Sequence, residues 1–135
     1  MRRMLRALRE ERGAELIEFA LVSMAFFVIV FGTVEFSRMI WQHNIVANAA
    51  KEGARWAAVR GATSDTPATV DSVRTYVQSR SYGMTVTVTT TWNPATMAVG
   101  SIVTVDVQGS FQPIIPILPQ NLIALRSTSQ MVISR

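Results

Sequence analysis

The hydrophobic positions of this chain follow two patterns that change near Gly83. From Phe19 to Val34 the residues are mostly apolar, and Leu16, Ile17 and Phe36 extend the run. The extended run is about 20 residues long, which is the length of a helix that crosses a bilayer. After Gly83 apolar and polar residues alternate, as they do in strands with one wet face. The pattern predicts a spanning helix followed by a small domain.

The helical pattern continues well beyond the apolar run. The two glycines inside it each cost a helix only about 1 kcal/mol, and Gly61 is the first residue suited to end it. We therefore predict one long helix over residues 14–60, of which residues 16–36 are transmembrane. A buried helix of a soluble protein is the alternative, but a chain of 135 residues could hardly enclose it on all sides.

Two sets of apolar residues lie on the outer half of this helix. One side carries the larger set, Trp41, Ile45, Ala49, Trp56 and Val59. The other side carries only alanines, Ala47, Ala50, Ala54, Ala57 and Ala58, and polar residues such as Arg55 lie between the two sets. A helix that covers one domain needs one apolar stripe, so two stripes indicate contact with its own domain and with a neighbouring subunit. The alternative is that the alanines only favour helix formation on a solvated face.

Residues 61–135 predict a small α+β domain. Asp65 or Thr66 is a candidate N-cap, with Pro67 in the first turn, for a second helix over residues 68–79. The alternating segments predict three strands, over residues 84–92, 101–108 and 123–133. The predicted fold class is α+β: a long N-terminal transmembrane helix continues into an extracytoplasmic domain with a second helix and a roughly three-stranded antiparallel sheet.

Two features interrupt the predicted strands. Gly109 is a candidate bulge at the end of the second strand. Three prolines fall within residues 111–120, and proline cannot donate a ladder hydrogen bond. We therefore expect this apolar segment to pack as an extended loop.

Arginines are concentrated ahead of the apolar run, in a basic leader over residues 1–13. Five arginines and two glutamates there supply three of the four net positive charges. Positive residues beside a spanning helix stay on the cytoplasmic side, so we predict a cytoplasmic N-terminus and a domain outside. The charge left for the rest of the chain is too small for a nucleic-acid surface.

Motifs for catalysis, metals or cofactors are not found in the sequence. The chain has no cysteine, and His43 is its one histidine, which excludes disulfides and two-histidine metal sites. No nucleophile elbow, phosphate loop or dinucleotide fingerprint occurs. We therefore predict that the protein is not an enzyme and uses no cofactor.

Glu18 is the acidic residue that most needs an explanation. A carboxylate inside the hydrocarbon costs about 2.5–3.5 kcal/mol and usually has a partner. The alternative is that Glu18 lies at the edge of the membrane and meets water.

The stretch GAELIEF, residues 13–19, resembles a class III prepilin peptidase site. A basic leader ends in Gly13, Glu18 is the fifth residue after the cut, and Phe19 opens the apolar helix. Together with the long helix and the segment AKEGARWA, residues 50–57, it closely resembles the TadE-like family of the tight-adherence (Flp-type) pilus system.

The resemblance implies a non-enzymatic assembly protein, a pseudopilin or minor pilin of a type IV pilus system with a role in cell adhesion. A prepilin peptidase would cut after Gly13 and leave Ala14 as the new N-terminus, where other type IV pilins have a large apolar residue. In this class the glutamate, here Glu18, is thought to neutralise the N-terminal amine of an adjacent subunit. The implied assembly surface of the helix includes Trp41, Ile45, Ala47, Ala50, Ala54, Arg55 and Trp56.

The resemblance also implies partners and a location. The partners are the prepilin peptidase, other pilin or pseudopilin subunits, the inner-membrane assembly platform and the lipid bilayer. The location is the bacterial cytoplasmic membrane, crossed once, or the pilus itself. The alternative function is a permanently anchored binding or accessory protein that is not built into a fibre and acts through its sheet edge or residues 111–120.

Overall fold

The computed structural model describes residues 2–115 and 123–134, with side chains described from Gly13 onward. These residues form two compact units, one up to Ser37 and one from Arg38 onward. The elements in chain order are α1 (Arg2–Ala58), α2 (Val70–Ser79), β1 (Val86–Asn93), β2 (Ile102–Ser110) and β3 (Ala124–Val132). The predicted α+β class, with a long apolar helix, a second helix and a three-stranded antiparallel sheet, is confirmed.

The first unit is a stretch of α1 whose apolar side chains are exposed. The helix holds one candidate membrane span, within Gly13–Ala58, and none of its most apolar window is buried. Its hydroxyl groups bond within the helix: Thr33 Oγ1 donates to the carbonyl of Ile29, and Ser37 Oγ donates to that of Thr33, both at 2.8 Å. These hydroxyls therefore need no water. Length, composition and exposure are those of a membrane anchor.

The sheet of the second unit is an antiparallel meander in the order β1-β2-β3. In β1 the buried residues Val86 and Val88 alternate with exposed threonines, so the predicted wet face is confirmed. In β2 the side chains of Val103, Val105 and Val107 are fully buried. The outer half of α1 and helix α2 contribute buried residues to the same core, together with Ala68, Phe111 and Leu125.

Gly109 does not form the predicted bulge. It pairs with Val86 on one side and with Leu125 on the other, in unbroken register. A Cβ at Gly109 would lie 3.5 Å from Cγ2 of Val46 and 3.4 Å from Cε of Met84. The glycine therefore provides room for α1 beside the sheet, which the sequence of the strand alone does not reveal.

The ends of both helices differ from the sequence prediction. α1 begins at Arg2, twelve residues before the predicted start, and it ends at Ala58, before Gly61. α2 begins only after Thr69. Thr69, rather than Asp65 or Thr66, is the N-cap, and Pro67 precedes the helix. The Oγ1 of Thr69 accepts from the backbone N–H of Ser72 at 3.1 Å, and the Oγ of Ser72 accepts from the N–H of Thr69 at 2.8 Å. This capping box satisfies two of the free donors at the helix start.

The connection between β2 and β3 is described only in part. Phe111 is buried, and its N–H donates to the carbonyl of Ile123 at 3.0 Å. Residues 116–120 of the predicted extended loop lie outside the described residues.

Candidate processing segment and assembly helix

The packing around Gly13 does not explain why this residue is a glycine. The residue lies within α1, where glycine is less favourable than alanine by about 1 kcal/mol. A Cβ at this position would meet nothing within 4 Å. The neighbouring processing residues Ala14, Glu18 and Phe19 are all exposed, Phe19 to 72%. Nothing in the described part of the chain therefore requires a glycine here.

Glu18 lies on the same exposed stretch of α1. Among the residues with described side chains, 13–115 and 123–134, it makes no hydrogen bond or ion pair. The apolar residues that follow it are also exposed, including Leu21 and Val22. A carboxylate placed at the start of such a segment in a membrane would need a partner from outside these residues.

The segment AKEGARWA, residues 50–57, forms the inner surface of the domain. Ala50, Ala54 and Ala57 are fully buried, and Gly53 is buried between them. A Cβ at Gly53 would lie 2.5 Å from Cγ2 of Val77. The small residues of the segment therefore allow α1 to approach α2 and the sheet closely.

The alanine side of α1 faces the chain's own core. Ala58 is buried with the residues above, and Ala47 is half-buried. The alternative of a solvated alanine face is therefore wrong, and the structure assigns this side to the domain itself. Sequence alone did not separate the two, because alanine favours helix formation and also fits close packing.

The larger apolar set does not form one continuous surface. Ile45 and Ala49 are buried at the edge of the core, whereas Trp41 and Val59 are 59% and 45% exposed. Trp41 lines a shallow cleft together with Asn44, Ile45, Asn48 and Tyr82. Of the predicted assembly residues, Trp41 and Arg55 are thus exposed, and Ile45, Ala50 and Ala54 are buried.

Trp56 is half-buried in a stack that joins the two helices. Its ring stacks on that of Tyr76, with centroids 5.2 Å apart and 21° between the ring planes. The guanidinium of Arg60 lies 4.2 Å from the Trp56 centroid, and that of Arg80 lies 5.3 Å from the Tyr76 centroid. Each arginine follows its aromatic by four residues, a spacing that brings side chains together on a helix. The contact between the two aromatics depends on how α1 and α2 pack.

Asp106 is a buried carboxylate on the outer face of the sheet, which the sequence did not single out. It accepts hydrogen bonds from Thr128 Oγ1 at 2.6 Å, Arg126 Nε at 2.8 Å and Gln108 Nε2 at 3.2 Å. Burial acts to raise the pKa of Asp106, but these three hydrogen bonds and the charge of Arg126 outweigh it and hold the pKa below its ordinary value.

The surroundings of Asp106 are those of a structural ion pair. Within residues 13–115 and 123–134, no three His, Cys, Asp or Glu side chains are grouped so that they could hold a metal ion. Thr128 lies directly opposite Asp106 in the strand register. The cluster therefore links β2 to β3.

The comparison with known families gives one match. Residues 13–55 match the family model described as TadE-like protein. No curated protein and no solved structure matches the chain. The match begins at Gly13 and ends at Arg55, so it contains the processing segment and most of the segment AKEGARWA. The expected resemblance to the TadE-like family is therefore confirmed over residues 13–55.

Proposed function

We propose that the protein is a pseudopilin or minor pilin of a tight-adherence pilus, cut after Gly13 by a prepilin peptidase. One observation carries the proposal: Gly13 begins the matched segment, yet it has no intramolecular neighbour that requires a glycine. A peptidase must open the helix to reach the peptide bond, and glycine makes that opening easier by about 1 kcal/mol.

The charge at Glu18 supports assembly after the cut. Cleavage would create a positive amine at Ala14, and Glu18 has no partner among the described side chains. A charged amine and a charged carboxylate attract each other more strongly in a membrane than in water, because the dielectric constant is lower. An unpaired charge there is unfavourable. Pairing between the Ala14 amine of one subunit and Glu18 of the next would give the Glu18 carboxylate its partner.

The contact surface for neighbouring subunits lies on the exposed sides of α1. The alanine side is already used by the domain, so Ala50 and Ala54 cannot reach another subunit. Trp41, Asn44 and Asn48 remain exposed on the outer half of the helix. Their exposure, and that of the apolar residues of the spanning segment, supports a subunit contact at these positions rather than at the alanines.

The mature N-terminus tests the processing step. Mass spectrometry of the protein from its native host should show a chain that begins at Ala14, and Gly13→Ala should leave it uncut. Gly32→Ala is the matched control, because Gly32 is also helical and also has nothing within 4 Å. A wild-type chain that still begins at Met1 would contradict the proposal.

Crosslinking separates an assembled subunit from a permanent anchor. The chain has no native cysteine, so single cysteines can be placed at exposed Asn48 and at buried Ala54 as the control. Assembly predicts that Asn48→Cys forms adducts with another copy of this chain or with other pilins, and that Ala54→Cys forms none. A permanently anchored accessory protein would give no adduct from either variant.

A further inference from the structure

The third strand of the sheet has a free edge. The strand order is β1-β2-β3, so β2 is the central strand and β3 has a neighbouring strand on one side only. β3 is nine residues long and pairs with β2 in unbroken register. An edge strand of this kind can offer its backbone N–H and C=O groups to a strand from another chain.

The flanking hydrogen bonds show which backbone groups of β3 point away from β2. Just beyond the two ends of the ladder, Phe111 N–H donates to the carbonyl of Ile123, and Ile133 N–H donates to that of Ser101. Opposed residues of an antiparallel pair bond to each other at every second position, so the odd-numbered residues of β3 bond to β2. The even-numbered residues direct their backbone groups to the free edge: Ala124, Arg126, Thr128, Gln130 and Val132.

These edge-directed groups have no partner in the part of the chain that the structure describes. All five residues are exposed, and no hydrogen bond from residues 2–115 or 123–134 reaches their backbone N–H and C=O groups. The next even-numbered residue, Ser134, confirms the direction, because its N–H donates to the carbonyl of Ala58 on α1. The free edge therefore extends along β3 and stops just beyond it.

The opposite edge of the sheet, on β1, is covered. Because β2 bonds to β3 through its odd-numbered residues, it bonds to β1 through its even-numbered ones, which lie opposite odd-numbered residues of β1. The even-numbered residues of β1 therefore direct their backbone groups to the outer edge. Three of them, Val86, Val88 and Thr90, are only 5–6% exposed, and α2 packs against the strand. Among the described strands, only β3 thus presents an open edge.

The features that usually protect an edge strand are absent from β3. Proline, lysine and bulges commonly block pairing, but β3 contains no proline or lysine and has no bulge. Its one charged residue, Arg126, is held by Asp106 of β2 at 2.8 Å. On the inner face of the sheet, Ser127, Ser129 and Met131 are only half-buried. A strand added at this edge would satisfy the backbone groups and cover these side chains.

We propose that β3 pairs through its free edge with an extended strand from a different pilin or pseudopilin subunit; this choice of partner rests on the proposed function. Backbone hydrogen bonds give such pairing its affinity, and the half-buried Met131 favours an apolar side chain beside it. A second copy of this chain could offer only its own β3, because its β1 edge is covered. Pairing of β3 with β3 joins identical surfaces and closes a dimer, whereas a fibre grows through contacts between different surfaces.

Proline substitutions test the direction of the backbone groups. Gln130→Pro removes an edge-directed N–H and leaves the ladder to β2 intact, whereas Ser129→Pro removes a ladder N–H opposite Val105. In the purified full chain, we expect Gln130→Pro to unfold close to the temperature of Gln130→Ala, and Ser129→Pro to be far less stable. Equal losses from the two prolines would overturn the assignment of the free edge.

Photocrosslinking in the native host tests the partner. Benzoylphenylalanine replaces Val132, which is on the free edge and 60% exposed, or, as the control, Thr89, an exposed residue of the covered strand β1. We expect position 132 to form an adduct with another pilin subunit, identified from the linked peptide by mass spectrometry, and position 89 to form several-fold less. Gln130→Pro should reduce the adduct at position 132 several-fold, and Gln130→Ala should leave it unchanged.

The outcomes separate the strand pairing from the proposed function. No adduct at position 132, an adduct with a second copy alone, or an adduct that Gln130→Pro does not reduce would overturn the pairing. If the chain is still cut after Gly13 and Asn48→Cys still forms adducts, the proposed function stands without it. Absence of the cut and of the Asn48→Cys adducts would overturn the proposed function and the choice of partner together.

Discussion

Gly53 of α1 and Val77 of α2 lie so close that a Cβ on Gly53 would be 2.5 Å from Cγ2 of Val77. Real Cβ atoms essentially never approach another atom to this distance. The contact lies inside the core, where Val77 is fully buried, so the valine has little room to move. The glycine in the segment AKEGARWA is thus explained by the packing of two helices within one subunit.

We predict that Gly53→Ala destabilises the domain despite the better helix propensity of alanine. Overpacking of a core costs about 1–3 kcal/mol, against a gain of about 1 kcal/mol from propensity. Thermal or denaturant unfolding in detergent, followed by tryptophan fluorescence, measures the difference. The double variant Gly53→Ala/Val77→Ala should lose less stability than the two single changes added together, because the second change removes the clash.

The control for Gly53→Ala is Gly32→Ala, which adds the same methyl group to the same helix where nothing lies within 4 Å. That change should leave the unfolding of the domain unaltered. A Gly53→Ala protein as stable as the wild type would show that α1 and α2 do not approach as described.

We predict that Thr69→Ala lowers the free energy of unfolding by about 1 kcal/mol, because it removes the side-chain acceptor at the start of α2. Ser72→Ala should have a similar effect, since Ser72 Oγ accepts from Thr69 N–H in the same capping box. Chemical unfolding curves of the purified variants provide the measurement.

Thr66→Ala provides the comparison, because the local sequence makes Thr66 an equally good cap. Thr66 is exposed, and its backbone N–H donates to Ser64 Oγ at 3.3 Å. Its hydroxyl group does not cap α2. Its replacement should change stability by far less than Thr69→Ala. Equal losses from the two variants would contradict the assignment of the cap.

We predict that the domain loses stability in acid because the Asp106 carboxylate becomes protonated. The folded pKa of Asp106 lies below its ordinary value, so its contribution is present above the unfolded pKa of about 3.9 and is lost as the pH falls through the folded pKa. Asp106→Asn should lower stability at neutral pH, by about 1 kcal/mol given the exposure of its partner Arg126. It should also weaken the dependence of stability on pH below pH ~4.

Unfolding measured across that pH range tests the assignment to Asp106. Asp71→Asn is the control, because Asp71 forms an exposed i, i+3 pair with Arg74 at 2.9 Å, and such surface pairs contribute little. If the two variants shared the same acid dependence, the cluster around Asp106 would not account for it.

The secondary structure could be predicted closely from local patterns. The change from a helical to an alternating period located the end of α1 and the three strands to within a few residues, because the period of apolar positions reflects backbone geometry directly. The start of α1, at Arg2 rather than at residue 14, was missed. The role of Gly109 could not be predicted, because it depends on contacts with Val46 and Met84, outside its own strand. The N-cap of α2 was missed although its capping box is local, because several residues in the loop before α2 have side chains that can cap a helix.

The candidate site divides in the same way. The processing residues Gly13, Glu18 and Phe19 form a linear motif, so they could be named without a structure, although their function remains a proposal. The contacts of the two faces of α1 could not be assigned from sequence, because alanine favours a helix both on a solvated face and in a packed core. Two of the three partners of Asp106, Arg126 and Thr128, are 20 and 22 residues away along the chain and are brought to it only by the pairing of β2 with β3.

By itself, the sequence determined the long apolar helix, the α+β class and the TadE-like motif, since each of these depends on residues close together in the chain. Only the tertiary structure decided that the alanines of α1 line the core and that Trp41 and Tyr82 line the same shallow cleft. The physical reason is that burial depends on how helices and strands pack, and this packing brings together side chains that the sequence separates.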